Sequence, residues 1–366
     1  MKSVVTCVGL LLVCLLAAAD RAPAAESVIE RYQLEEDKQP VRERPGWRKP
    51  TRILIAASAA PFLDRLKAAA PGVEFIVAHG GRVSEQAAGV DAVIGMCTPE
   101  LLAAGRSIRW IQLVTAGVER CVSIPAVRER DILITNMQRI GGPIIAEHAL
   151  AMMLALTRGL DVYVRAQDRH EWNRAMLPAG RMTVLQGKTL LVVGLGGIGS
   201  EVAERAHALG MKVVAIRASG RHGPSFVSYV GLPDELDKLA AQADFVVNTA
   251  PLTPQTRGMF DAGFFSRIKS GAYFINVARG ASVDTSALIE ALRSGKIAGA
   301  GLDVTDPEPP PPNHPLWSAP NVIITPHVAN DSDLGYGAQL EVVAENLRRY
   351  TAGERMLSVV DVERGY

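Results

Sequence analysis

From Thr51 onward, short apolar runs alternate with segments of helical spacing. RILIAAS, VEFIVA, DAVIGM, IQLV and DILITN are too short for buried helices, and stretches such as FLDRLKAAA and PELLAAG separate them. Alternation of this kind predicts a parallel sheet covered by helices. The segment GPIIAEHALAMMLALTRGL, residues 141–160, is apolar around most of a helical circumference. It should be a buried helix, lying between domains or subunits. A second α/β series starts with TLLVV at Thr189 and runs through MKVVAI, ADFVVNTA, AYFINVA, AGAGLDV and NVIITPH. The fold class expected is α/β, with two doubly wound parallel-sheet domains. A final helical pattern, from about Leu334 to Tyr350, follows the second series and could return to the first domain.

A length of 366 residues suits two domains, each large enough for its own core. With 39 basic and 38 acidic residues and no basic stripe, the chain does not read as a nucleic-acid binder. Lys2, the apolar stretch from Val4 to Ala19 and the small residues Ala22, Pro23 and Ala24 form a secretory signal, with an uncleaved anchor as the alternative. No stable membrane span is expected, because the stretch is shorter than the roughly 20 residues a spanning helix needs. Export to the periplasm or exterior follows if the signal is genuine; otherwise the chain is cytoplasmic or membrane-anchored. Residues 26–50, rich in charge and proline, read as an extended leader. The four cysteines, Cys7, Cys14, Cys97 and Cys121, have no metal-ligand spacing. Cys97 and Cys121 leave room for one disulfide in a mature chain, although small buried side chains are the expectation.

The chemistry starts where the second series starts. Gly194, Gly196 and Gly199 have the G-x-G-x-x-G spacing between an apolar run and a helical pattern, with Gly197 and Ile198 completing the turn. Such a turn lets backbone approach a pyrophosphate, which the helix N-terminus then attracts. At the end of MKVVAI, where an acidic residue would favour NAD, stand Arg217, Ser219 and Arg221. A guanidinium there pairs with a 2′-phosphate, so NADP is the preferred cofactor, with NAD as the alternative. Three further strand ends carry Arg279, Glu308 and His327. Together they supply a cation for a carboxylate and carbonyl, a proton donor, and an anion that stabilises an imidazolium. No metal is called for. The proline-rich stretch 306–315 reads as a stiff structural loop.

RWIQLVTAGVE, AEHALAMMLALTR, GLGGIG, APLTPQTRGMF, FINVARGASVD, AGLDVTDPEP and HPLWSAPNVIITPH, in this order, closely resemble the D-isomer-specific 2-hydroxy acid dehydrogenase family. The resemblance runs from about Arg109 to Val328. It implies Arg279, Glu308 and His327 as catalytic residues and backbone contacts to the substrate carboxylate at Ala116, Gly117 and Val118. Asp303 falls at the position that contacts the nicotinamide end, Pro251 and Thr256 border the adenosine, and Val277 and Ala278 join Arg279 on the cofactor side.

The resemblance further implies a Rossmann nucleotide-binding domain over 158–327. It would be inserted into a flavodoxin-like substrate domain formed by 51–157 and 328–366, in a homodimer. The reaction implied is hydride transfer between NAD(P)H and a small 2-oxo acid, glyoxylate or hydroxypyruvate, to give the D-2-hydroxy acid. Selectivity would come from Ala57 to Ala60, Met96 to Thr98 and Thr115. Asn330, where a glycine is frequent, Arg217 and the leader depart from the family pattern. Glu308 counts against formate oxidation, whose branch carries glutamine there; phosphite oxidation can use the same three residues. Two alternatives stay open: an exported oxidoreductase that retains its cofactor, and a nucleotide-sensing protein without turnover.

Overall fold

The eleven apolar runs all become strands and, with one further strand at Val227–Gly231, the described residues form twelve strands in two sheets, every strand pair parallel. The structure, a computed structural model, describes residues 27–366 except Ala179 and Leu334. The expected signal or anchor over 1–25 lies outside the described residues. Among those described, no helix is long and apolar enough to cross a membrane.

The first sheet comprises β1 (Arg52–Ile55), β2 (Glu74–Val77), β3 (Ala92–Ile94), β4 (Trp110–Gln112) and β5 (Leu133–Thr135), in the order β2-β1-β3-β4-β5. The second comprises β6 (Thr189–Val193), β7 (Lys212–Ile216), β8 (Val227–Gly231), β9 (Phe245–Asn248), β10 (Ala272–Asn276), β11 (Ile297–Leu302) and β12 (Val322–Ile324). Its order is β12-β11-β10-β9-β6-β7-β8. Each sheet is covered on both faces, by separate apolar clusters, which is why its central strands read as unbroken apolar runs rather than alternating ones. Strand order reverses between β1 and β3 in the first sheet and between β6 and β9 in the second. Such switch points open ligand crevices at the carboxyl ends of the strands.

The helix Gly142–Arg158 has Pro143 in its first turn and ends at Gly159, whose φ of 65° suits a left-handed C-cap. Its Ile145, Ala149, Met153 and Leu156 pack with β6, β9 and β10, so it belongs to the second sheet although it falls before the expected boundary at 157/158. The final helix, Gly335–Ala352, returns to the first domain. There Tyr350 stacks on Trp110 with ring centroids 4.6 Å apart, and Asn346 donates to Gln112 Oε1 at 2.8 Å.

Two expectations need correction. Residues 26–50 are not simply extended: Val28–Tyr32 is a helix capped by Ser27, and Leu34 and Val41 are buried against the final helix. Arg349 to Glu36 at 2.6 Å and Trp47 Nε1 to the Tyr350 carbonyl at 3.3 Å fix the segment there. The apolar positions inside a charged stretch found a partner face some 300 residues away, which local composition does not reveal. Cys97 and Cys121 are not two separate buried thiols but a disulfide, with Cα atoms 5.5 Å apart across a sequence separation of 24.

Candidate active site

The glycine turn sits at the second switch point. Gly194, at φ 98°, ends β6 so close to the β9 loop that a Cβ would lie 2.7 Å from Ala250 N and Cα. Gly196 caps the helix Gly197–Ala208, and a Cβ there would meet nothing within 4 Å. Open space above backbone at the start of a twelve-residue helix fits a pyrophosphate. Ile198 is half-buried beside the turn, and Gly199 packs against the Gly194 carbonyl. The arrangement therefore fits the dinucleotide expected from the sequence.

At the end of the neighbouring β7, Arg217 is half-buried. Its Nε donates to Ser219 Oγ at 2.8 Å and its Nη1 to the His222 carbonyl at 3.1 Å. Arg221 is already engaged: it pairs with Glu235 at 2.6 Å and donates to Tyr229 Oη at 2.9 Å. Hydrogen bonds from Tyr229 and the Leu232 amide, with Arg221 beside them, hold the Glu235 carboxyl down at about 2, so this pair stays ionised at neutral pH. Of the two arginines, Arg217 is the one not held by a carboxylate. Pro251 is exposed, and the Thr256 hydroxyl donates to its carbonyl at 2.6 Å while accepting from the Thr253 amide at 2.8 Å. Thr256 thus shapes the loop bordering the crevice from within.

Arg279, Glu308 and His327 follow β10, β11 and β12, which are adjacent strands. Val277 and Ala278 are buried beneath the first. Glu308 and His327 are in contact, Oε1 to Nδ1 at 2.7 Å. A carboxylate only accepts, so Nδ1 carries the hydrogen, and Nε2 remains for chemistry in the cleft. His327 itself has a φ of 56°, a left-handed conformation costing on the order of 1–3 kcal/mol in a residue other than glycine. Asp303 holds it there. Fully buried, Asp303 accepts from Thr325 Oγ1 at 2.6 Å, Val328 N at 2.9 Å and Ala329 N at 3.0 Å, while its carbonyl takes the His327 amide at 2.8 Å. His148, from the helix Gly142–Arg158, supports this clamp with Nε2 2.9 Å from Thr325 Oγ1. Both Asp303 oxygens are thus occupied in shaping the histidine loop, a role its sequence position did not suggest.

Arg279 reaches across the cleft to the first domain. Its Nη1 donates to the Ala278 carbonyl at 2.7 Å, and its Nε and Nη2 meet the two Glu119 oxygens at 3.1 and 3.5 Å. Gly117 lies directly under the guanidinium, where any Cβ would collide with it. Asn136 Nδ2 holds the Ala116 carbonyl at 2.8 Å, and Thr115 Oγ1 holds the Gly117 carbonyl at 3.0 Å. Among the described residues, the amides of Ala116, Gly117 and Val118 donate to no protein acceptor. A loop with free N–H groups beside an arginine has the chemistry to take an anion. Glu119, which the residue pattern did not single out, occupies its cationic side.

The description "D-isomer specific 2-hydroxyacid dehydrogenase, NAD binding domain" matches residues 150–329. The chain is 33% identical over 292 residues to a glyoxylate reductase of Korarchaeum cryptofilum, covering 77% of this chain and 86% of that one. It is also 33% identical over 265 residues to a D-3-phosphoglycerate dehydrogenase of Methanocaldococcus jannaschii, on 72% of its own length. It spans only 50% of that enzyme. Among solved structures, an NADPH-dependent glyoxylate/hydroxypyruvate reductase of Sinorhizobium meliloti, in complex with NADP and sulfate, superimposes with a TM-score of 0.73. The identity is 27%, covering 86% of this chain and 100% of that one.

Proposed function

This chain belongs to the D-isomer-specific 2-hydroxyacid dehydrogenase family, and from that premise we propose that it reduces small 2-oxo acids to D-2-hydroxy acids with NADPH preferred over NADH. Glyoxylate and hydroxypyruvate are the leading substrates, since both the Korarchaeum and Sinorhizobium relatives act on this class. The observation that carries the reading is the division of the cleft. Arg279 lies against Gly117, in the loop of free amides at 116–118, while Glu308 and His327 follow the strands one and two places away.

In this mechanism the substrate carboxylate takes the place of Glu119 on Arg279 and accepts from the Gly117 and Val118 amides. The glycine turn would hold the cofactor by its pyrophosphate, and the bound NAD(P)H would supply the hydride that the carbonyl carbon receives. His327 gives the proton from Nε2 to the carbonyl oxygen, and Glu308, accepting from Nδ1–H, fixes the ring and balances its charge. In the reverse direction the same nitrogen takes the hydroxyl proton. Arg217 supports NADP as the preferred cofactor.

A homodimer is part of the proposal. Leu154, Leu160, Val164, Trp172, Met182 and Val184 are all exposed, Trp172 at 96%, and exposed apolar side chains gathered in one stretch of chain suit a partner surface. The disulfide supports the export expected from residues 1–25, because such bonds persist in oxidising compartments. An enzyme working there is expected to keep its cofactor through purification; an empty site that binds NADPH weakly would overturn that part.

The test is nicotinamide absorbance with the purified full chain, using NADPH and NADH against glyoxylate, hydroxypyruvate, pyruvate and phenylpyruvate. Oxidation ranks cofactor and substrate together. Tight NADPH binding without oxidation across the panel would replace the reductase by a nucleotide-sensing protein.

A further inference from the structure

The substrate side of the cleft rests on little secondary structure. Gly117 and Val118 lead into the helix Glu119–Val122, a single turn with no side-chain cap at its N-terminus. One turn of helix is not stable by itself. Its internal support is local: the Cys121 and Val122 amides bond to the Val118 carbonyl at 2.9 and 3.0 Å, the Ser123 amide to the Glu119 carbonyl at 3.2 Å and the Ile124 amide to the Cys121 carbonyl at 3.1 Å. Yet this turn carries Glu119 against Arg279 and presents the free amides just before it. Cys121, on the same turn two residues beyond Glu119, is buried and bonded to Cys97. Cys97 lies in the loop after β3, and β3 and β4 are neighbouring strands. The disulfide therefore ties the loop at 95–98 to the helical turn that closes the neighbouring loop at 113–118.

We propose that the Cys97–Cys121 disulfide is a positioning device for the substrate site, fixing the Glu119–Val122 turn so that Glu119 and the 116–118 amides face Arg279. Cross-linking removes conformations from loops that would otherwise have to be ordered when substrate binds, so its loss weakens substrate binding and leaves the cofactor side alone. The bond opens by thiol–disulfide exchange. A dithiol's thiolate attacks one sulfur, its second thiolate displaces the mixed disulfide, and two electrons and two protons pass to Cys97 and Cys121 as the reagent closes to its own disulfide. Cys97 is half-exposed and is the sulfur open to attack. The affinity part of this inference rests on the reading of the cleft as a 2-oxo acid site; the ordering part does not.

The experiment compares the full chain as isolated, the same protein treated with dithiothreitol, and the C97S/C121S variant with and without dithiothreitol. Hydrogen exchange is followed by peptide, NADPH affinity by fluorescence, and KM and kcat with glyoxylate. Reduction and substitution are each expected to speed exchange over residues 113–123 while residues 189–329 stay unchanged. KM should rise several-fold, with kcat moving less than about twofold and NADPH affinity held. Dithiothreitol should do nothing further to the variant, which sets aside Cys7 and Cys14. Unchanged exchange at 113–123 would overturn the proposal, as would a uniform rise through both domains, which marks a stability effect alone. Should the variant not fold, the dithiothreitol arm decides. Should no 2-oxo acid be turned over, the reductase reading fails by itself and hydrogen exchange still decides the positioning role.

Discussion

The two sheets are alike at their amino ends and different at their carboxyl ends. Asp91, just before β3, accepts from the Thr51 amide at 2.7 Å; Asp244, just before β9, accepts from the Thr189 amide at 2.9 Å. In both domains, then, a carboxylate ties together the starts of the two strands that flank the switch point. At the opposite ends the second domain offers a glycine turn and three short strand-end loops clamped by buried groups. The first offers a loop and one helical turn held by a disulfide. The clamped edge is shared because it serves the sheet, whereas the open edges diverge, as the proposed division between cofactor and substrate requires.

The largest effect should come from the second domain's open edge. Removing the proton donor in His327→Ala is expected to lower kcat by roughly 10²–10⁴ while NADPH affinity is retained. Stopped-flow turnover and fluorescence titration check the two halves. A variant that loses NADPH binding as well would mean that the histidine loop belongs to the cofactor site, and the division of labour between the edges would have to be redrawn.

The closed edges are compared next. Burial alone would raise both aspartates. Amide bonds from Thr51 and Arg52, the Thr51 hydroxyl and Arg48 outweigh it at Asp91, and Lys269 with the Thr189 amide at Asp244, so both lie below their usual 3.8. A depressed carboxyl stabilises the fold above its unfolded value and loses that contribution as pH falls through the folded one. Both clamps should therefore be fully effective at pH 5–7 and fade below about pH 4. Asp91 is buried and accepts from more donors than Asp244. Asp91→Asn should cost about 1–3 kcal/mol at pH 7 and Asp244→Asn less. The acid slope of the melting temperature should flatten in both. Equal losses would show that burial does not separate the two clamps.

What the sequence disclosed follows the same division. The strands around the glycine turn were legible because central parallel strands are apolar throughout, and the glycine spacing was legible because Gly194 and Gly199 are required by close approaches while Gly196 leaves open space above the helix start. The edge strand β8 was not, since Ser228 and Tyr229 are exposed and break the apolar run. Glu308 and His327 were each expected at a strand end of the second series, and the strand order brings them into contact. The Asp303 clamp and His148 were hidden because their partners are set by tertiary contact rather than by spacing. Glu119 and the disulfide were missed for the same reason: nothing local at residues 97 or 121 says that neighbouring strands bring them together.

The cofactor edge is sharpened by Arg217. Replacing it with Ser removes the guanidinium left to meet a 2′-phosphate, since Arg221 is held by Glu235. A charged hydrogen bond at a half-exposed site is worth about 1.5 kcal/mol or more, so KM for NADPH should rise about tenfold with little change for NADH. A parallel rise for both cofactors would place Arg217 on a part of the nucleotide that the two share.

The smallest effect tests whether the first domain's edge is poised or merely structural. Glu119 meets Arg279 with both oxygens, so a substrate carboxylate on that guanidinium would replace one anion by another. The pair is partly exposed, at 32% and 26%, and a pair of this kind is worth up to about 1 kcal/mol. Glu119→Gln keeps the side chain's length and removes its charge. If the carboxylate is a competitor, KM for glyoxylate should fall about two- to fivefold with kcat nearly constant, and the gain should shrink as salt screens the pair. If Glu119 instead orients the guanidinium, KM rises and kcat falls with it. Only the first outcome agrees with a substrate edge in which the resting anion stands where the substrate's will be.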